Sequence, residues 1–96
     1  MAHSRRFRFG VQLNQAFDGC SWTESVRELE ALGYSTLFVP DHVDSGLGPL
    51  TAMAAAVTAT TTLKVAPLVL DTDFRHPAIV ARELATIDLI SGGRAG

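Results

Sequence analysis

Gly33-Tyr34-Ser35-Thr36-Leu37-Phe38-Val39-Pro40-Asp41-His42 is the stretch whose reading decides the fold. Tyr34 to Val39 reads as a strand closed by Pro40, and Gly33 sits where a left-handed helix C-cap is expected. Upstream of it, Ser21-Trp22-Thr23-Glu24 is a capping box, in which the Ser21 hydroxyl accepts from the Glu24 amide and the Glu24 carboxylate reaches back. Trp22, Val26, Leu29 and Leu32 follow at helical spacing as one apolar face, with Arg27, Glu28 and Glu30 turned away from it. Downstream, Asp41 to Gly48 is polar and contains glycine, hence a loop, and Pro49 opens a second helix. The stretch is therefore a strand between two helices, with chemically interesting residues directly at its end.

The same order extends in both directions. Toward the N-terminus, Arg6 to Leu13 alternates Phe7, Phe9, Val11 and Leu13 with polar or small residues, as a strand does, and Asp18-Gly19 marks a turn. In the second helix Leu50, Met53, Ala54 and Val57 share a side, while Thr58 and Thr60 to Thr62 weaken its end. Leu63 to Leu70 is a near-continuous apolar run, expected of a strand buried on both faces. After a loop from Asp71 to His76, Pro77 fits the first turn of a third helix, with Val80, Leu84, Ile87 and Ile90 as its face and Gly92-Gly93 as its end. The order is β-α-β-α-β-α, with strands opening near residues 7, 34 and 63 and a fourth due near 94. Spacings of roughly 30 residues match consecutive βα units with right-handed crossovers. An eight-unit barrel needs about 250 residues. The expected fold class is thus α/β: residues 1–96 form the first three βα units of a TIM (β/α)8 barrel and stop before strand four, as the N-terminal part of a larger enzyme. A small open parallel sheet is the alternative, but its two edges would be bare.

Composition narrows the function. With 96 residues, 47% hydrophobic and 19% charged, the chain has enough apolar content for a core, which excludes a disordered tail. Eight Lys+Arg against ten Asp+Glu leaves no positive surplus for a phosphate backbone, so no nucleic-acid partner is expected. No apolar run approaches the roughly 20 residues that cross a bilayer, so no membrane partner is expected either. Arg5, Arg6 and Arg8 alternate with Phe7 and Phe9 with no apolar segment after them, unlike a signal peptide. The single cysteine, Cys20, makes no internal disulfide or zinc cluster. A soluble, reducing, cytoplasmic setting is the expectation.

In a βα series the functional loops follow the C-terminal ends of the strands. The first such loop offers Gln12 and Asn14, the second Asp41 and His42, the third Leu70, Asp71, Asp73 and Arg75. Asp41-His42 is the sharpest signal: an imidazole there can exchange a proton near neutral pH, and a neighbouring carboxylate biases its charge. A capping aspartate and a packed histidine are the bland alternative. Asp41, His42 and Asp44 are too few ligands for a metal, and none is expected. His76, before a proline, is read as capping or packing, and Asp71 and Asp73 as turn-forming. Arg75 is free to meet an anion or to lie on the surface. His3 falls in a tail, Trp22 is core, and Gly46 and Gly48 mark a hinge or turn. No Gly-x-Gly-x-x-Gly, Gly-Lys-Ser/Thr or Gly-x-Ser-x-Gly element is present, so dinucleotide-fold, P-loop and hydrolase-elbow readings lack their defining loops.

Phe9-Gly10-Val11-Gln12-Leu13, the segment Glu30 to His42 with its Pro40-Asp41-His42, the run Leu70 to Pro77, and Arg82 to Arg94 with its Ser91-Gly92-Gly93-Arg94 together resemble the bacterial luciferase-like monooxygenase family, and in particular its deazaflavin (coenzyme F420)-dependent branch. The resemblance spans nearly the whole chain, with the pieces in order. It implies a TIM-type barrel with a flavin or deazaflavin across the C-terminal mouth. His42 then lies beside the reactive face and assists hydride transfer, with Asp41 as its catalytic neighbour. A non-prolyl cis peptide at the end of strand three would fall at Leu68–Val69, so that Leu68, Val69 and Leu70, with Asn14, are the cofactor-binding candidates. Some sugar-phosphate dehydrogenases of this branch carry an aromatic residue shortly after the Asp-His pair, where this chain has Ser45-Gly46, so their substrate is not assumed.

Three functions compete. The first is F420-dependent hydride transfer to or from a small organic substrate. The second is a reduced-FMN monooxygenase served by a separate flavin reductase; cofactor preference and oxygen consumption separate these two. The third is a non-catalytic, partner-dependent module. The family implies a homodimer, and the 96-residue chain alone is expected to be inactive.

Overall fold

The computed structural model describes residues 8–71, 73 and 75–96. The expected start of the first strand at Arg6 and Phe7, the tail with His3, and Phe74 of the third loop lie outside the described residues. Six elements follow in order: β1 (Gly10–Gln12), α1 (Trp22–Ala31), β2 (Thr36–Val39), α2 (Pro49–Ala59), β3 (Lys64–Pro67) and α3 (Pro77–Ile90). The strands form one parallel sheet in the order β1-β2-β3, with Val11 beside Leu37 and Leu37 beside Val65. Beyond α3 the chain returns to the sheet: Val65 N–H donates to the Arg94 carbonyl at 2.9 Å and Gly96 N–H to the Val65 carbonyl at 2.9 Å. This parallel bridge between Val65 and Ala95 is the opening of a fourth strand, where the 30-residue rhythm expects one. The arrangement is that of the first βα units of a TIM-type barrel.

Alternation along the strands separates two faces. Leu37, Val39 and Val65 point outward into a core with Val26 and Leu29 of α1, Met53, Ala56 and Val57 of α2, and Ile87 of α3. On the opposite face Thr36, Phe38, Lys64 and Ala66 line a concavity of about 250 Å³. Gly10 belongs to that inner face, and a Cβ there would stand 2.5 Å from the Phe38 ring, so β1 passes Phe38 only as glycine.

The capping box of α1 forms as expected: Glu24 N–H donates to Ser21 Oγ at 3.1 Å and Ser21 N–H to Glu24 Oε1 at 2.7 Å. Gly33, Gly92 and Gly93 all take positive φ at helix ends. Several boundaries differ from expectation. Leu32 is 64% exposed rather than core, because α1 stops there and the chain turns through Gly33. At the other end of α1 Ser25 is buried, its hydroxyl donating to the Ser21 carbonyl and accepting from Phe17 N–H, each at 2.9 Å. Ile90 is likewise exposed, as the last residue of α3, and Phe9 lies exposed just before β1. The third strand ends at Pro67, so Leu68 to Leu70 belong to the loop that follows it.

Two charged side chains stitch the layers where the strands begin. α2 has no basic residue in its last turn and no glycine cap, so its terminal carbonyls need outside donors. Thr60 Oγ1 serves the Ala56 carbonyl and Arg27 Nε the Ala59 carbonyl, and Arg94 serves the rest of the connection: Nη2 donates to the Val57 and Thr60 carbonyls, and Nη1 to the Leu63 carbonyl and Thr60 Oγ1, at 2.8–3.2 Å. Its Nε donates to the Ser91 carbonyl at 2.8 Å, which fixes the guanidinium plane. Glu30 does the converse, accepting at Oε2 from the backbone N–H groups of Thr61, Thr62 and Leu63 and the Thr62 hydroxyl, at 2.7–3.0 Å. Burial opposes its ionised form, but these donors outweigh that and hold its carboxyl below the ordinary range.

Candidate active site

The opposite end of the sheet, where the strands finish, gathers the loops 13–21, 40–48 and 68–76. Loop 40–48 is fastened at both ends. Near its close, Leu47 N–H donates to the Asn14 carbonyl at 2.9 Å, and Gly46, with φ of 75°, lies so close that a Cβ would stand 3.0 Å from the same oxygen. Near its start, Asp41 is nearly inaccessible, its side chain 2% exposed. Its Oδ1 accepts from Arg75 Nη2 at 3.1 Å, and its Oδ2 accepts from Arg75 Nη1 and from Asp71 N–H, the latter at 2.8 Å. The Arg75 hydrogen bonds hold the Asp41 carboxyl below the usual carboxylate range, overcoming the opposing effect of burial. The same pairing raises the Arg75 guanidinium.

Between those fastenings stands His42, exposed, with no hydrogen bond to its imidazole among the described residues. Its backbone carbonyl accepts from Ser45 N–H at 3.3 Å. The neighbouring Val43 is 70% exposed. On the adjoining loop the peptide Leu68–Val69 is cis, where the family resemblance implies one. Leu68 is 44% and Val69 76% exposed, and Leu70 is half-buried. The two loops are neighbours by the ladder itself, since Leu68 N–H donates to the Val39 carbonyl at 3.0 Å. The mouth thus presents an imidazole and an apolar ledge to the space above the sheet. Covering large exposed apolar side chains removes them from water and is favourable.

The sequence candidates divide accordingly. His42, Leu68 and Val69 share the exposed mouth. Asn14 enters it through its backbone carbonyl, its side chain being exposed. Asp41 is turned into the ion pair. Arg75, left open between an anion site and the surface, has found its anion in Asp41. Asp71 shapes its own turn, accepting from Asp73 N–H at 2.9 Å, and His76 caps α3, its Nδ1 accepting from Ala78 N–H at 3.0 Å. Among the described residues no group of three or more His, Cys, Asp and Glu is arranged to hold a metal ion. Nor is any helix among them long and apolar enough to cross a membrane. Sequence reasoning missed Val43 and the Asp41–Arg75 pairing. No local pattern announces an ion pair across 34 positions.

A parallel sheet opening a barrel, with an imidazole and an apolar ledge at its C-terminal mouth, defines a TIM-barrel-type protein with its candidate site in the standard place. The family model for luciferase-like monooxygenases matches residues 6–96, and the chain belongs to that family of oxidoreductases. It is 34% identical over 89 residues to the 5,10-methylenetetrahydromethanopterin reductase of Methanopyrus kandleri, covering 91% of this chain and 25% of the relative. The solved structure of the coenzyme F420-dependent tetrahydromethanopterin reductase from the same organism superposes with a TM-score of 0.80 at 28% identity, over 92% of this chain and 25% of that one. The oxygenating constituent of 3,6-diketocamphane monooxygenase from Pseudomonas putida, solved in complex with FMN, superposes with a TM-score of 0.79 at 20% identity, over 94% of this chain and 28% of that one. That last likeness speaks for the fold alone. The chain spans about a quarter of the length of these relatives.

Proposed function

We propose that residues 1–96 are the N-terminal part of an F420-dependent oxidoreductase that transfers hydride to or from a small organic substrate. The observation that carries this reading is the exposed His42, with no hydrogen bond to its ring among the described residues, on the loop next to the one that carries the exposed Leu68 and Val69. Such a ledge fits a planar, largely apolar ring system, and 34% identity to a methylenetetrahydromethanopterin reductase, together with 28% to an F420-dependent one, favours a deazaflavin over FMN.

A bound deazaflavin would supply the hydride chemistry. The chain's own residues do the rest. Leu68, Val69, Leu70 and Asn14 would hold the ring, the apolar side chains of the first three keeping water from it. The His42 imidazole would move the proton that accompanies hydride at the substrate. Among the described residues no side chain hydrogen-bonds either ring nitrogen.

The test is a titration of the full-length protein with F420 and with FMN, followed by turnover. Saturable F420 binding and substrate-dependent change of the deazaflavin absorbance are expected. The variant His42→Ala should keep F420 affinity within about tenfold and lose about a hundredfold in turnover. Preference for FMN with oxygen consumption would replace this reading by the monooxygenase one. Unchanged turnover in His42→Ala would remove the imidazole from the chemistry.

A further inference from the structure

The Asp41–Arg75 pair is costly as a source of stability. Burying two charges takes them out of water, and apolar replacements of similar size often serve a fold as well. What a bidentate guanidinium–carboxylate pair provides is direction: two parallel hydrogen bonds fix both the distance and the plane of the groups they join. Here they join the outgoing chain of β2 to the segment that leads into α3.

The pinning has a regular form. The chain leaving β3 is held against the chain leaving β2 at two points, Leu68 N–H on the Val39 carbonyl and Asp71 N–H on the Asp41 carboxylate, at 3.0 and 2.8 Å. Leu68-Val69-Leu70 is therefore a short arch anchored at both feet. Arg75 closes the second foot, and the next residue, His76, caps α3, so the guanidinium is tied to a rigid helix. His42 is the residue immediately after the carboxylate that serves as this anchor. At the far end the same loop is held by Leu47 and Gly46 against Asn14.

We propose that Asp41 and Arg75 are positioning residues, which set the His42 imidazole against the Leu68–Val69 ledge and do not themselves transfer protons. The role of the mouth is taken from the function proposed above; the pinning stands on the hydrogen bonds alone. Arg75 is then unavailable to a ligand anion, and a charge at position 75 without the planar fork does not suffice.

The experiment uses full-length Arg75→Ala, Arg75→Lys and Asp41→Asn, with two readouts: F420 affinity against turnover, and amide hydrogen exchange of the unliganded protein. Arg75 is 23% exposed, so lysine is accommodated there even if Asp41→Asn fails to fold. Misplacing a reacting group by about 1 Å can cost on the order of a hundredfold in rate. Turnover is accordingly expected to fall at least about thirtyfold in Arg75→Ala with F420 affinity within about threefold, and Arg75→Lys should recover less than a third of the loss on a logarithmic scale. Exchange should rise in 40–48 and 68–76 together and nowhere else. Full recovery by lysine, turnover within twofold of wild type, or exchange rising throughout the chain would each overturn the proposal. Should the wild-type protein neither bind nor reduce F420, the functional reading falls, and exchange still decides the pinning: a rise confined to the two loops upholds it, and a flat or chain-wide response overturns it.

Discussion

The two ends of the sheet use their polar side chains in opposite ways. Where the strands begin, Arg94 and Glu30 are engaged with backbone groups of the α2–β3 connection, one donating to its carbonyls and the other accepting from its amides. Where the strands finish, Asp41 and Arg75 engage each other, and the His42 ring has no hydrogen bond among the described residues. The same fold thus carries a satisfied end and an open one. Stability should respond to side chains at the first, and chemistry to side chains at the second. Arg94 of Ser91-Gly92-Gly93-Arg94, as distinctive in the sequence as Pro40-Asp41-His42, is engaged with the fold through the α2–β3 connection.

The largest effect is expected at the satisfied end. Arg94→Ala leaves the Val57, Thr60 and Leu63 carbonyls without the guanidinium in a half-buried setting and should cost about 3 kcal/mol in urea unfolding, with less than half recovered by Arg94→Lys. A loss below about 1 kcal/mol would mean that water replaces the guanidinium, and the contrast between the ends would weaken.

Gly46→Ala sharpens the comparison from the other side. Gly46 has φ of 75° and its Cβ position is 3.0 Å from the Asn14 carbonyl. A side chain there is strained and crowded, so a loss of about 1–2 kcal/mol is expected although no polar group is removed. At the open end, then, the backbone carries the stability. If Gly46→Ala were neutral by thermal unfolding, the fastening of loop 40–48 to loop 13–21 would be dispensable.

Glu30→Gln should cost about 1 kcal/mol, since an amide oxygen still accepts but without charge. The pH dependence supplies a second check. Glu30 in the folded chain lies below its ordinary 4.5 and Asp41 below its ordinary 3.8. Groups with a depressed folded value add stability that is complete above the unfolded value and is lost as pH falls through the folded one. Wild type should therefore lose stability below about pH 4.5, while Glu30→Gln loses less over the same range, so that the two converge on acidification. Curves that stay parallel from pH 7 to 3 would show that the hydrogen bonds to Glu30 do not depend on its charge.

These effects mark where the sequence was legible. Helix starts at Ser21, Pro49 and Pro77 and ends at Gly33 and Gly92 are local, set by residues within a turn of one another, and they appeared as read. The position of the mouth followed from strand order, which brought Asn14, His42 and Leu68 to one end. What could not be read was the partner of each charge. Glu30 was legible only as turned away from an apolar face, Arg94 only as the start of the next element, and Arg75 only as a free cation. Their partners lie 31 to 37 positions away and become neighbours only when one βα unit stacks on the next. Apolar residues at helix ends fail for a related reason. Leu32 and Ile90 have the right spacing, but they stand at the last turns of α1 and α3, where no neighbouring element covers them among the described residues.

The smallest stability effect is expected where the effect on function is greatest. His42 is exposed, has no hydrogen bond to its ring among the described residues, and leaves no cavity when truncated. Substitutions at such surface positions usually fall within about 0.5 kcal/mol. His42→Ala should therefore unfold with wild-type stability while turnover falls, and Arg94→Ala should lose stability. Hydrogen-bonded side chains contribute to the folded state because something is left unsatisfied without them, whereas removing an exposed imidazole leaves nothing unsatisfied. A loss above about 1 kcal/mol in His42→Ala would show that the ring packs against the mouth in solution. It would then belong with Arg94 among the side chains that hold the fold.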